Sequence, residues 1–196
     1  MSPHRRTLLS LSALALLGGC AALKTLAVDV RSFGAWPADK KAGTYAFERL
    51  PSQQDPLSRA AEWETLAAPA LEKAGFKPAP AGTPPDVIVA LGVRISAVAL
   101  SPWDDPLWYR WNAPLYHWRF GMPPRAHPLF VDRRYEREVG VLLRDRVSGQ
   151  PLYEARASSD GSTQGGDALM AALFQAALAD FPKAQPQPHV VRIQLP

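Results

Sequence analysis

The chain has 196 residues, 22 Lys and Arg against 18 Asp and Glu, and a formal net charge of +4. Its single cysteine, Cys20, rules out an internal disulfide framework, a thiolate zinc site and a cysteine nucleophile paired with further cysteines. The 20 prolines are about twice ordinary usage, which predicts many loops or an insertion.

Residues 1–19 divide into a basic start with Arg5 and Arg6, an uncharged run of Leu, Ala and Ser from Leu8 to Leu17, and the small pair Gly18-Gly19. That order is the layout of a cleaved secretory signal. At ~1.5 Å per residue the apolar run spans only ~15 Å, half the ~30 Å hydrocarbon core, so a retained transmembrane helix is disfavoured. Leu17-Gly18-Gly19-Cys20 resembles the lipobox of bacterial lipoproteins. The resemblance implies cleavage before Cys20, a diacylglycerol thioether on its sulfur and acylation, for example by palmitate, of its new amino group. Several acyl chains on one residue give a lasting membrane anchor, whereas one chain holds only marginally. Ala21 and Ala22 follow with no Asp, which by the same resemblance implies an outer-membrane lipoprotein facing the periplasm. Cleavage also removes Arg5 and Arg6 and leaves 177 residues at +2. A near-neutral chain of that size predicts one domain and gives no electrostatic case for nucleic acid, despite the whole-sequence pI near 9.4.

Residues 20–26 are expected to form a lipidated tether, with a single domain over 27–196. Val28–Phe33 alternates as a first strand, and a turn over Pro37–Gly43 leads to a second β-rich run, Thr44–Phe47. From Pro56 onward Ala60, Trp63, Ala67, Ala70, Leu71 and Ala74 keep helical spacing, and Gly75 is placed to end the helix. Pro69 should kink or split it. Val87–Ile95 is apolar on both faces at first, as in a central strand covered on both sides for half its length. Tyr135–Asp145 and Leu152–Ala157 flank Ser148-Gly149 and predict an antiparallel pair. A polar loop, Ser158–Gly166, is expected to end at a capping Asp167 before a helix over Ala168–Phe181, stopped by Pro182. His189–Leu195 is the last strand. Together these elements predict an α+β two-layer sandwich: a mostly antiparallel sheet of five to six strands with two main helices on one face.

Several pieces, in order, resemble a bacterial lipoprotein family known as domain of unknown function 4136. They are Gly43-Thr44-Tyr45-Ala46-Phe47, Leu71-Glu72-Lys73-Ala74-Gly75-Phe76, Pro85-Asp86-Val87-Ile88-Val89 and Val141-Leu142-Leu143-Arg144-Asp145, followed by Leu152–Ala157 and Leu173–Pro182. The resemblance spans residues 43–182. It implies a periplasm-facing lipoprotein domain with no assigned catalytic residue and no cofactor.

Residues 101–131 match nothing in that pattern. This insertion holds Trp103, Trp108, Tyr109, Trp111, Tyr116, Trp118 and Phe120 among six prolines. Aromatic rings give large contact area with few rotamers to freeze and stack on sugars or cations. The proline content predicts a long loop. Three roles fit: contact with an envelope protein or glycan, immersion in the lipid headgroup layer, or packing over a sheet edge.

His117, His127, Asp104 and Asp105 do not recur at metal-ligand spacing. Ser158, Ser159 and Asp160 suit cap or turn chemistry. Arg133, Arg134, Glu136, Arg137 and Glu138 read as a solvated strand end with cross-strand pairs. No nucleophile elbow, phosphate loop or dinucleotide fingerprint occurs. The expected function is a non-enzymatic, membrane-tethered envelope module whose aromatic loop touches another component. The alternative is an envelope hydrolase using loop carboxylates or histidines.

Overall fold

The computed structural model describes residues 25–99 and 133–195, which form a mixed α+β fold. In chain order the strands are β1 (Thr25–Gly34), β2 (Thr44–Glu48), β3 (Lys77–Pro78), β4 (Val87–Ala99), β5 (Arg133–Asp145), β6 (Pro151–Gly161) and β7 (His189–Gln194). Helix α1 spans Ala60–Lys73 and α2 spans Asp167–Ala177. Among the described residues the sheet has seven strands in the order β3-β2-β4-β5-β6-β1-β7. Contacts divide the described chain into two compact units. One holds residues 25–93, 138–159 and 165–195, and the other holds 94–99, 133–137 and 160–164.

The sheet is mostly antiparallel, as expected, but contains two parallel pairings and differs in strand number. It has seven strands, not five to six, because β3 is too short to show any alternation. Two bonds define it: Lys77 N–H donates to Gly43 O (3.1 Å) and Ala79 N–H to Tyr45 O (2.9 Å). β2 runs parallel to both β3 and β4, since α1 carries the chain back across the sheet between them. The rest is antiparallel. β1 pairs with β6 (Asp29↔Ser158, Gly34↔Tyr153) and with β7 (Thr25↔Gln194, Val30↔His189). The five-residue turn between β5 and β6 forces them antiparallel, and Arg146 N–H donating to Asp86 O (3.4 Å) sets the start of β4 beside the end of β5. β4 therefore runs toward, and β5 away from, the end of the sheet at which β1 starts.

Alternation decides which side chains enter the core. Val28 and Val30 of β1, Val87 and Val89 of β4, Val139, Val141 and Leu143 of β5, and Tyr153, Ala155 and Ala157 of β6 are buried, while their neighbours are less so. α1 packs against α2, and α2 against β1 and β7. On β4, Ile88 and Ala90 are only half-buried, so the expected cover on both faces is not made. Apolar character on both faces reflects half-burial between neighbouring strands rather than a second helical layer.

Five further expectations are corrected locally. Pro69 lies inside a continuous α1. Pro69 and Thr65, whose carbonyl loses its donor, are both exposed, so water takes the missing bond. α1 ends as expected at Gly75 (φ +96°), where Phe76 N–H reaches back to Leu71 O (3.0 Å). The cap of α2 is Gly166, with Asp167 as its first helical residue. That helix stops at Ala177, five residues before Pro182, because bonds such as Ala179 N–H to Ala176 O (3.1 Å) tighten the chain into successive turns. Ser158–Gly161 belong to β6 rather than to a loop: Ser158 pairs with Asp29 of β1, and the Asp160 side chain pairs with Arg134 of β5. β1 likewise begins at Thr25, inside the span expected to be tether.

In the second unit Arg134 pairs with Asp160 across the sheet, as the charge pattern predicts. Arg137 departs from that pattern. Its side chain is buried, and burial lowers its pKa. The guanidinium lies over Gly161, where a Cβ would come within 2.7 Å of Nη2, and Nη1 donates to Thr163 O (3.4 Å).

Candidate functional site

Three clusters of polar or aromatic side chains occur in the larger unit. The first joins β2, β4 and β5. Asp86, directly before β4, accepts hydrogen bonds at Oδ2 from the Thr44 backbone N–H (2.7 Å) and hydroxyl (2.8 Å). The Thr44 N–H holds the Asp86 carboxyl below the usual range, helped by the hydroxyl and, last, by Lys40. Gly43 makes this approach feasible: a Cβ there would lie 2.3 Å from Asp86 Oδ2. Asp145 closes the neighbouring turn. Its Oδ2 meets Lys40 Nζ at 2.6 Å, and its Oδ1 accepts from Val147 N–H (3.0 Å), Ser148 N–H (2.8 Å) and the Ser148 hydroxyl (2.9 Å). Lys40 first, then Ser148, holds the Asp145 carboxyl far below the ordinary range. One oxygen of Asp86 and both oxygens of Asp145 accept from the chain itself, as suits structural joints.

The second cluster lies between β1, β6, β7 and the turns after α2. Trp36, Phe76, Phe181 and Tyr153 stack edge to face or tilted, with centroids 4.8–5.6 Å apart. Beside them Ser32 N–H donates to Gln185 O (2.9 Å) while Gln185 N–H donates to Ser32 Oγ (2.8 Å). The buried Tyr153 hydroxyl sits near Ser32 and Asp180 without closing a well-directed hydrogen bond. Burial raises its pKa, Ser32 opposes that, and Asp180 adds to it. Asp180 Oδ2 and His189 Nε2 approach to 2.9 Å at an angle that makes no hydrogen bond. A hydroxyl, a carboxylate and an imidazole are thus brought together, but Ser32 is fully buried and already accepts from Gln185, so no nucleophile faces solvent.

The third is a shallow cleft of about 10 Å³, room for roughly one water. Phe47, Gln53, Ala60, Trp63 and Leu91 line it. Arg49 closes one side through a two-pronged pair with Glu64 (2.6 and 2.7 Å), and Arg144 pairs with Glu48 on another. Arg59, paired with Glu62 (2.6 Å), lies 4.1 Å over the Trp63 ring. Each cation here has a carboxylate partner, which leaves no charge poised for a ligand.

Among the described residues no three His, Cys, Asp or Glu side chains converge on a metal position, and no helix is long and apolar enough to cross a membrane. Cys20, the expected lipidation residue, and the aromatic residues Trp103, Trp108, Tyr109, Trp111, Tyr116, Trp118 and Phe120 lie outside the described residues, as do Asp104, Asp105, His117 and His127. Ser158, Ser159 and Asp160 are strand residues. The Gly43-Thr44–Asp86 joint and the Tyr153–Asp180–His189 cluster are not foreseen by sequence, because their members are 9 to 43 residues apart and share no periodicity.

In these clusters polar side chains fasten strands and turns to one another. The chain belongs to the family described as Domain of unknown function (DUF4136), which matches residues 29–183. The pieces that carry the family resemblance are structural here: Gly43-Thr44 and Asp86 make the first joint, and Phe76, Tyr153 and Phe181 belong to the aromatic cluster. No curated protein sequence matches the chain. Among solved structures it is similar to a PelC dodecamer from Paraburkholderia phytofirmans, at 16% identity and a TM-score of 0.42 over 78% of this chain and 95% of that one. It is also similar to a PDZ domain protein from Parabacteroides distasonis, at 12% identity and a TM-score of 0.49 over 87% of this chain. The match covers 39% of that longer protein.

Proposed function

We propose that this protein is a non-enzymatic lipoprotein of the bacterial cell envelope, anchored in the outer membrane through lipidated Cys20 and facing the periplasm. The α+β domain is a two-layer scaffold with both helices on one face of the sheet, and the aromatic segment 101–131 is its contact surface for an envelope protein or glycan. The observations that carry this reading are the Leu17-Gly18-Gly19-Cys20 order five residues ahead of β1 and the concentration of aromatic residues in the segment between β4 and β5. The occupied carboxylates and the buried Ser32 support a binding role over a catalytic one.

In-cell crosslinking from positions 103, 108, 111 and 118 tests the contact surface. Replacing all four tryptophans with alanine should leave the fold intact and abolish capture of the crosslinked component. Unchanged capture would remove the aromatic segment from the contact. Cys20→Ser should lose lipid labelling and accumulate as uncleaved precursor, whereas normal maturation would remove the anchor.

A further inference from the structure

We infer that the end of the sheet formed by the start of β1 and the finish of β7 lies against the bilayer, with the turn between β5 and β6 pointing away from it. This rests on the Cys20 anchor proposed above and adds an orientation to it. The argument begins with chain length. From Cys20 to Thr25 there are five residue steps, which at full extension reach about 18 Å. Thr25 is already fixed in the sheet, paired with Gln194, so slack cannot be gained by peeling it off without breaking β1 from β7.

β1 then runs ten residues, Thr25–Gly34, roughly 33 Å at strand rise. Gly34 pairs with Tyr153, close to the start of β6, so the turn carrying Val147 is at the far end of the sheet from Thr25. A tether shorter than the strand it feeds cannot let that far turn reach the membrane while the near end stands clear of it, unless the sheet lies flat on the surface. The near end is chemically suited to close approach. Thr25, Leu26, Gln194 and Leu195 carry no charge, and the two leucines are half-buried. No carboxylate among these four opposes anionic headgroups.

Orientation can be read with the mature, full-length lipoprotein in phosphatidylethanolamine–phosphatidylglycerol vesicles that contain a Ni(II)-chelating lipid. The Cys20 sulfur is blocked as a thioether, so a cysteine introduced by Gln194→Cys or by Val147→Cys is the one free thiol and takes a nitroxide cleanly. Both positions are exposed, Val147 to 85%. Flotation of the unlabelled protein with the vesicles is measured first. The nitroxide at 194 should then relax several-fold faster in the presence of Ni(II) than the nitroxide at 147. Equal relaxation, or faster relaxation at 147, with flotation retained, overturns the orientation and leaves the anchor standing. Failure to float overturns both.

Discussion

Replacing Gly43 with alanine should loosen the joint between β2 and β4 by a calculable amount. The new Cβ would sit 2.3 Å from Asp86 Oδ2 and 2.9 Å from its Cγ, so the carboxylate must rotate away. Gly43 does not have positive φ, so the backbone itself accepts alanine and the cost is confined to this contact. Two hydrogen bonds are lost, from the Thr44 N–H and hydroxyl. Bonds to a charged acceptor contribute ~1.5–3 kcal/mol each when protected, but this site is exposed and both partners regain water, so ~1–2 kcal/mol in total is expected. That corresponds to about 2–8 °C in Tm for a domain of this size. The informative assay is urea unfolding of a double-mutant cycle with Asp86→Ala. Each single variant should lose ~1–2 kcal/mol, and the double variant should lose little more than either, because removing the carboxylate takes away the two closest contacts and leaves the residue-86 Cβ at 3.1 Å. Additive losses would refute the account, as would a Gly43→Ala protein as stable as its parent.

Other outcomes follow from the same geometry. Asp86 and Asp145 both have folded pKa values below their unfolded values, so each stabilises the fold fully above about pH 4 and progressively less as pH falls through the folded pKa. Asp86→Asn should therefore flatten the fall in stability below pH 4, measured by urea midpoints at successive pH; an unchanged slope would show that the Thr44 bonds do not favour the ionised form. Gly34→Ala should cost more than ~2 kcal/mol, since it combines φ +105° with a Cβ 2.6 Å from Leu152 O, whereas Gly92→Ala, which meets no atom within 4 Å, should be neutral or gain up to ~0.5 kcal/mol. Chemical denaturation of the two variants side by side decides this, and similar stabilities would refute it. Tyr153→Phe should cost under ~1 kcal/mol because its hydroxyl makes no well-directed bond, while Phe76→Ala should cost ~3–5 kcal/mol by opening the aromatic cluster. A larger loss for Tyr153→Phe would mean that Ser32 or Asp180 holds that hydroxyl in solution.

Local pattern was enough to find most elements. Alternation in Val139, Val141 and Leu143 predicts one buried face, and the structure buries those three side chains. Helical spacing through Ala67, Ala70 and Leu71, ended by Gly75, predicts α1 and its stop, because capping is decided by the few residues at a helix terminus. Pattern failed where the deciding partner is remote. β3 exists only because Gly43 and Tyr45 offer carbonyls to Lys77 and Ala79. Ser158 looks like loop until Asp29 of β1 pairs with it, and Arg137 looks solvated until Gly161 opens a place for its guanidinium. The division of the α2 region into a helix and following turns has the same origin: its apolar stripe continues to Phe181, but the chain tightens at Leu178, and the Phe181 ring packs with Trp36, Phe76 and Tyr153.

By itself the sequence determined family membership, the mixed α+β class and the periodic faces, all of which depend on residues close together in the chain. Tertiary structure alone decided strand order, the parallel placement of β2 and the joints that occupy Asp86, Asp145 and Ser32. Those depend on pairings between segments up to 153 residues apart, such as Ser32 with Gln185, and on whether a Cβ fits between them. Such distances leave no period to read, and only the folded chain brings the groups within hydrogen-bonding reach.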